Sequence, residues 1–341
     1  MVARSAPQWQ GLDDLGSTWK RELRQALTRP RDLLALLGLP APESGGPAIS
    51  SADEFRMLVP RGYAALMEPG NPDDPLLRQV LPLAVEDEVQ PGFCPDPVGD
   101  AAAALAPGLL QKYRGRALLI TTPACAIHCR YCFRRHYPYA AAGLGVDGGT
   151  AAVSAIAADP SVTEVILSGG DPLMLDDGPL AALVGRLSAV PHLERLRLHS
   201  RLPVVLPMRV TPALCRLLAQ TRLQVVVVIH SNHPRELGDA AAGALQRLRD
   251  TGAALLNQSV LLRTVNADVD TLCDLSGALF RCGVLPYYLH LLDRVQGAAH
   301  FEVAEAEARR LVSDLRLRLP GYLVPRLVRE AAGTGSKIPI A

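Results

Sequence analysis

What this 341-residue chain lacks narrows its reading before any motif is considered. Its 35 basic and 34 acidic residues leave a net charge of +1, so no overall field draws it to nucleic acid and local arginine clusters need local explanations. No apolar run approaches the roughly 18 residues of a membrane span, and residues 1–10 lack the apolar core of a signal peptide. Those absences leave a soluble, cytoplasmic enzyme as the expectation. An even cysteine set is missing too: the count is seven, without a secretion signal, which speaks against a disulfide framework. Cys215 and Cys273 lie in apolar helical patterns, where free cysteine is usually a small buried hydrophobe.

Three other cysteines stand apart. Cys125, Cys129 and Cys132 are spaced four and then three positions apart and run directly into Phe133, Arg134 and Arg135. Clusters of the [4Fe–4S] type are normally held by four cysteines. Three would leave one iron open to a small molecule, the logic that separates catalytic from structural metal sites. Two readings compete with this one. Cys125, His128, Cys129 and Cys132 have the ligand types of a Cys₃His zinc site. Cys94, in the loop 91–97, is either an ordinary loop residue or a fourth cluster ligand.

Along the chain, residues 1–110 are helical and loop-rich, with apolar residues at helical spacing over 19–27 and 32–37 and a break at 69–75. This segment reads as an N-terminal extension. From about residue 111 to 322 the pattern becomes α/β. Strands are expected at 117–122, 164–168, 195–200, 224–230, 255–262 and 286–292, and helices at 151–158, 179–190, 212–221, 237–250 and 268–281. Alternating strands and helices imply parallel strands joined by right-handed crossovers. Apolar runs such as 225–229 suit strands buried on both faces. The expected fold is a partial (β/α)₆ barrel of the TIM type, with chemistry at the C-terminal strand ends. The cysteine triplet follows the first of these strands. Residues 323–341 form a separate C-terminal segment.

Further polar residues collect at the same strand ends. The second strand ends in Ser168, Gly169, Gly170 and Asp171, whose glycines permit close backbone approach and whose carbonyls and carboxylate suit a ligand ammonium. The same residues also make an ordinary turn. The third strand ends in His199, Ser200 and Arg201, the fourth in His230, and the fifth carries Gln258. Near the chain's last residue, Gly333 to Pro339 form a glycine-rich loop with a single lysine, Lys337, which on its own reads as a solvated surface lysine.

The cysteine spacing, with Tyr131 before the last cysteine, resembles the signature of the radical S-adenosylmethionine (SAM) enzymes. In that family SAM chelates the open iron and is cleaved to a 5′-deoxyadenosyl radical. The Gly-x-Lys-x-Pro loop at Lys337 resembles the segment of the lysine 2,3-aminomutase family whose lysine binds pyridoxal 5′-phosphate (PLP) as a Schiff base. Similarity to that family runs over about 67–340, through Tyr113 and Arg116, the cysteine triplet, 168–173, 201–211, 230–234, 257–263 and 286–293. The resemblance implies a [4Fe–4S] cluster on Cys125, Cys129 and Cys132, SAM, and PLP on Lys337. It also implies a PLP phosphate site at Arg116 with Lys112 and Tyr113, and SAM contacts from Ser168, Gly169, Gly170, Asp171, Ser200, Arg201, His230 and Gln258. Arg134 would pair with the substrate carboxylate, a task for a planar bidentate donor.

Substrate choice rests on Asp293 and Glu330, matching the positions where lysine-specific members place carboxylates against the side-chain ammonium. Glu330 stands where those members usually have aspartate. Two carboxylates suit a basic amino acid, free L-lysine first and arginine as the alternative. The chain stops at Ala341, whereas catabolic lysine aminomutases continue. This shorter form resembles the branch that supplies (R)-β-lysine to a ligase acting on elongation factor P. That resemblance implies isomerase activity and a flavodoxin- or ferredoxin-type reductant. The alternative of a different class is a zinc- or cluster-binding protein without catalysis.

Overall fold

The computed structural model describes residues 15–52, 55–139 and 148–341. Residues 1–10, expected to lack a signal core, lie outside it. A single ten-stranded sheet runs β1 to β10 in strict chain order. Its strands are β1 (Ala104–Ala106), β2 (Leu109–Tyr113), β3 (Arg116–Thr122), β4 (Glu164–Gly169), β5 (Arg195–Ser200), β6 (Gln224–Ile229), β7 (Ala254–Val260), β8 (Leu285–His290), β9 (Arg326–Arg329) and β10 (Ile338–Pro339). From β3 to β9 every neighbouring pair is parallel, while β1–β2, β2–β3 and β9–β10 are antiparallel. The six expected strands are therefore β3 to β8. A seventh parallel strand, β9, follows the helix Glu305–Arg318, which the sequence reading did not include. This is a partial TIM-like barrel extended by a hairpin at each edge.

The crossover helices form for local reasons. In Val269–Arg281 the buried residues Leu272, Leu275, Ser276 and Leu279 recur at helical spacing, so one face packs inward. Its start is capped by Asp268, whose carboxylate accepts from the Thr271 amide at 2.7 Å. Thr211 caps Pro212–Gln220 through the Leu214 amide at 3.0 Å, with proline at the first helical position. Each such cap contributes about 1 kcal/mol.

β4 is buried along its whole length, but β6 is not: Val225 and Val226 are half-buried and only Val227 to Ile229 are enclosed. β5 alternates, with Leu196 and Leu198 in the apolar core and Arg195, Arg197 and His199 on the opposite face. Arg197 pairs with Glu164 across the sheet. The face away from the apolar core is thus polar, which suits a site rather than a packed interior.

The N-terminal extension joins the same core. Trp19, Leu33, Leu34, Tyr63, Leu76 and Leu77 are buried in one cluster with the strands and crossover helices. It also holds the cysteine loop by backbone hydrogen bonds, from the His128 amide to the Leu58 carbonyl at 3.0 Å and from the Arg130 amide to the Gln79 carbonyl at 2.9 Å. Among the described residues no helix is long and apolar enough to cross a membrane.

Candidate active site

The loop leaving β3 lies against the end of β4. The Gly170 amide donates to the Thr122 carbonyl and the Asp171 amide to the Ala124 carbonyl, each at 2.8 Å. A Cβ at Gly170 would stand 2.3 Å from the Ala124 carbonyl oxygen, and one at Gly169, whose φ is +123°, would stand 2.7 Å from that of Thr122. The two glycines make room for the chain that carries Cys125, which is the close backbone approach expected of them. Gly170→Ala is expected to cost about 3 kcal/mol, because backbone cannot step aside as a side-chain end can. Chemical denaturation measures it, and a loss under about 1 kcal/mol would contradict this packing.

Asp171 differs from expectation. Its carboxylate is buried and already occupied: Oδ1 accepts from the Ser200 hydroxyl at 2.8 Å and the Leu173 amide at 3.0 Å, and Oδ2 from the amides of Arg201 at 2.7 Å and Leu202 at 3.3 Å. Burial still pushes this carboxyl up to about 6, against those hydrogen bonds. Asp171 and Ser200 tie the ends of β4 and β5 together instead of waiting for an ammonium.

The cysteine thiols are partly enclosed. Burial, then Cys132, Asp171 and Cys129, drives the Cys125 thiol well above its usual range, and burial followed by Cys129 pushes Cys132 to about 11. Three mutually repelling sulfurs in one pocket call for a multivalent cation. A single ion does not suit them: among the described residues no three histidine, cysteine or acidic side chains are placed to hold one metal ion. His128 stacks on Phe55 with ring centroids 5.1 Å apart, and its Nδ1 lies 2.6 Å from the Arg56 carbonyl. With His128 engaged by the Arg56 carbonyl, no Cys₃His zinc site is assembled among the described residues. Cys94 has an exposed thiol and is held through its backbone to Arg294 and Gln296.

Beneath the loop run two buried charge networks. Arg130 meets Glu86 through Nε at 2.9 Å and Nη2 at 2.6 Å, and Arg135 adds a bond to the same carboxylate at 2.9 Å. Arg201 donates to Cys129 Sγ at 2.7 Å, Gln79 Oε1 at 2.8 Å, Glu236 Oε2 at 3.1 Å and the Tyr63 hydroxyl at 3.3 Å. His230 Nε2 lies 2.8 Å from the Tyr131 hydroxyl, and burial, helped by Arg201, takes the imidazole down to about 3. Gln258 is half-buried beside it on β7.

The other half of the site assembles where the two ends of the sheet meet. Lys337 pairs with Glu330 and stands 5.9 Å from the centre of the Tyr288 ring. Lys112 makes three contacts, to the Val98 carbonyl at 2.9 Å, Asp100 Oδ1 at 2.5 Å and Glu330 Oε1 at 3.3 Å. Its ammonium is thus engaged by one carbonyl and two carboxylates. Arg116 lies 4.7 Å over the Tyr113 ring and has no carboxylate partner among the described residues, so it stays available to an anion. Burial and then Glu330 raise the Tyr113 phenol.

Arg134 donates through Nε to Asp100 Oδ2 at 2.6 Å and through Nη1 to the Ser168 hydroxyl at 3.2 Å. Burial, then the Glu330 charge, pushes Asp293 up to about 7. Glu330 goes the other way: burial opposes its ionisation, but Lys337 and then Lys112 hold it at about 2. The Nε2 atoms of His199 and His290 have no hydrogen-bond partner among the described residues. Asp100, Gln79, Glu86 and Glu236 were absent from the sequence reading. A carboxylate or amide in a loop carries no local mark, since its partner is a strand or a hundred residues away.

No protein-family model matches the chain. Curated relatives do. It is 48% identical to the L-lysine 2,3-aminomutase of Escherichia coli (strain K12) over 322 residues, covering 94% of each protein. It is 46% identical to that of Haemophilus influenzae over 94% of each. To the L-lysine 2,3-aminomutase of Clostridium subterminale it is 34% identical, over 94% of this chain and 77% of that one. A solved radical SAM methyltransferase from Sphaerobacter thermophilus shares 17% identity over 65% of this chain and 68% of its own, with a TM-score of 0.43.

Proposed function

The chain belongs to the L-lysine 2,3-aminomutase family, and from that premise we propose that it moves the amino group of L-lysine from C2 to C3, giving β-lysine. What supports this reading is the grouping of Lys337, Glu330 and Asp293, joined to Arg134 just after the cysteines through Asp100 and Lys112. The finer reading is that the product is (R)-β-lysine destined for elongation factor P, made in the cytoplasm with electrons from a flavodoxin- or ferredoxin-type protein.

The donor set fits the implied groups. Cys125, Cys129 and Cys132 would hold a [4Fe–4S] cluster, whose positive charge relieves three crowded sulfurs. Lys337 supplies an amine and Arg116 an unpaired guanidinium, which suit the aldehyde and phosphate of PLP. When bound, these groups with SAM supply hydrogen abstraction at an unactivated carbon and a path for nitrogen migration. The protein does the rest. Arg134 orients the substrate carboxylate, Asp293 and Glu330 receive its side-chain ammonium, and His230 and Gln258 line the SAM side. The helices and the N-terminal extension exclude solvent.

Anaerobic reconstitution, incubation with L-lysine and a reductant, and chiral product analysis test the reading. β-Lysine supports it and an (R) product supports the translation-factor branch. Cluster assembly and SAM cleavage with turnover of arginine alone would overturn the substrate assignment.

The carboxylate pair gives a pH dependence. Asp293 carries its proton below about pH 7 and ionises above it, while the lysine ammonium stays charged to well beyond pH 9. Affinity for L-lysine should rise by up to about tenfold per pH unit towards pH 7 and level off above it. Titration of the PLP-loaded protein from about pH 5.5 to about 8.5 checks this, and Asp293→Asn should bind weakly with a flat profile. A wild-type profile equally flat would exclude Asp293 as the titrating partner.

A further inference from the structure

We propose that Asp100 is the positioning residue for the carboxylate end of the substrate site: it aims Arg134 at the substrate carboxylate. The inference rests on reading Arg134 as the carboxylate's partner. Asp100 is 1% exposed, and its two oxygens serve two different cations, Oδ2 meeting Arg134 Nε at 2.6 Å and Oδ1 meeting Lys112 Nζ at 2.5 Å. Lys112 passes the contact on to Glu330 at 3.3 Å, and Glu330 to Lys337. Five side chains of alternating sign thus run in one line across the site, with Asp100 the member buried deepest.

The geometry at Arg134 explains what Asp100 does. A guanidinium can offer a carboxylate two parallel donors only if it is kept from rotating. Asp100 takes the Nε edge and Ser168 takes Nη1, while Nη2 has no acceptor among the described residues. Because each terminal nitrogen carries two N–H groups, Nη2 and the second hydrogen of Nη1 are the parallel pair left to a ligand. The Asp100 side chain is itself anchored, because the Asp100 amide donates to Asp96 Oδ1 at 2.9 Å and Ala101 to Asp96 Oδ2 at 3.1 Å. Just before it, Gly99 has a φ of +67°, and a Cβ there would stand 2.9 Å from that of Ala332. The loop is pressed onto the turn that follows Glu330. Asp100 therefore acts on the carboxylate end of the substrate through Arg134, without touching it.

The test is equilibrium binding to the PLP- and cluster-loaded protein without reductant, followed by cofactor absorbance. The two probes are L-lysine and 1,5-diaminopentane, which keeps the amines and lacks the carboxylate. In Asp100→Asn the affinity for L-lysine should fall on the order of tenfold or more, the worth of a charged hydrogen bond, while that for 1,5-diaminopentane should change by less than about threefold. In an Arg134→Lys background the same substitution should cost L-lysine less than about threefold, since the pair is already broken. Equal losses for both probes would reduce Asp100 to a structural role and overturn the proposal, as would an unchanged lysine affinity. Should Asp100→Asn fail to load PLP, Asp100→Glu, which keeps the charge and shifts the guanidinium by a methylene, must show the same selective loss, and equal losses there overturn the proposal too. If Arg134→Lys alone binds L-lysine as tightly as the parent, it is the reading of Arg134 that fails.

Discussion

Replacing Lys337 by alanine is expected to lower β-lysine formation on the order of a thousandfold or more, with iron content unchanged. Lys337 lies on the short approach to β10, and its ammonium sits on Glu330 facing Tyr288. Among the described residues no other lysine is placed to replace it. Lys112, the nearest alternative, is committed to Val98, Asp100 and Glu330. Arg116 would still offer PLP a phosphate partner, so weak cofactor binding without turnover is the expected state. Absorbance of the bound cofactor and product formation, measured on the same sample, separate the two effects. Turnover within tenfold of the parent would show that the anchoring amine lies elsewhere.

The second large effect is expected at Arg201. The reading from sequence placed it among SAM contacts, and in the fold its guanidinium is 6% exposed, wedged between Cys129, Gln79, Glu236 and Tyr63. Glu236 is fully buried and also accepts from the Gln79 amide at 3.0 Å and from the backbone of Asn232 and His233. Arg201→Met keeps most of the volume but leaves that carboxylate without its cation. Breaking a buried pair from one side costs about 3–5 kcal/mol. It also removes the one charged donor on a cysteine sulfur among the described residues. Arg201→Met should therefore lose both stability and bound iron and sulfide, read by chemical denaturation and by analysis of the purified protein. Arg201→Lys, which keeps the charge without the fork, should fall between the two. Unfolding within about 1 kcal/mol of the parent would remove Arg201 from this account.

Strands β3 to β8, each six or seven residues long, and the crossover helices of nine to thirteen residues were legible because they are framed by turns or caps, as with Asp268 and Thr211. β1, β2, β9 and β10 were not, since strands of two to five residues hold too few positions to show alternation. The helix Glu305–Arg318 buries only Ala308, Val312 and Leu315, a thin stripe among charges. For the site, spacing marked the cysteines, while Lys337 stood out only through the family resemblance. What stayed hidden were the partners. Nothing near Asp100 in sequence points to Arg134 or Lys112, and the glycines at 169 and 170 could not disclose which backbone fills the space beside them.

Ten strands laid side by side in chain order mean that each edge finds its partner among residues close in sequence, so the sheet can zip up strand by strand with little loop-closure entropy. The seam spans far more of the chain, where Lys112 meets Glu330 across 218 residues and Gly99 faces Ala332. A chain with all its parallel strands in register but its seam unformed would hold the cysteine loop and still lack the amine, so it is closure of the seam that turns a folded protein into a working site.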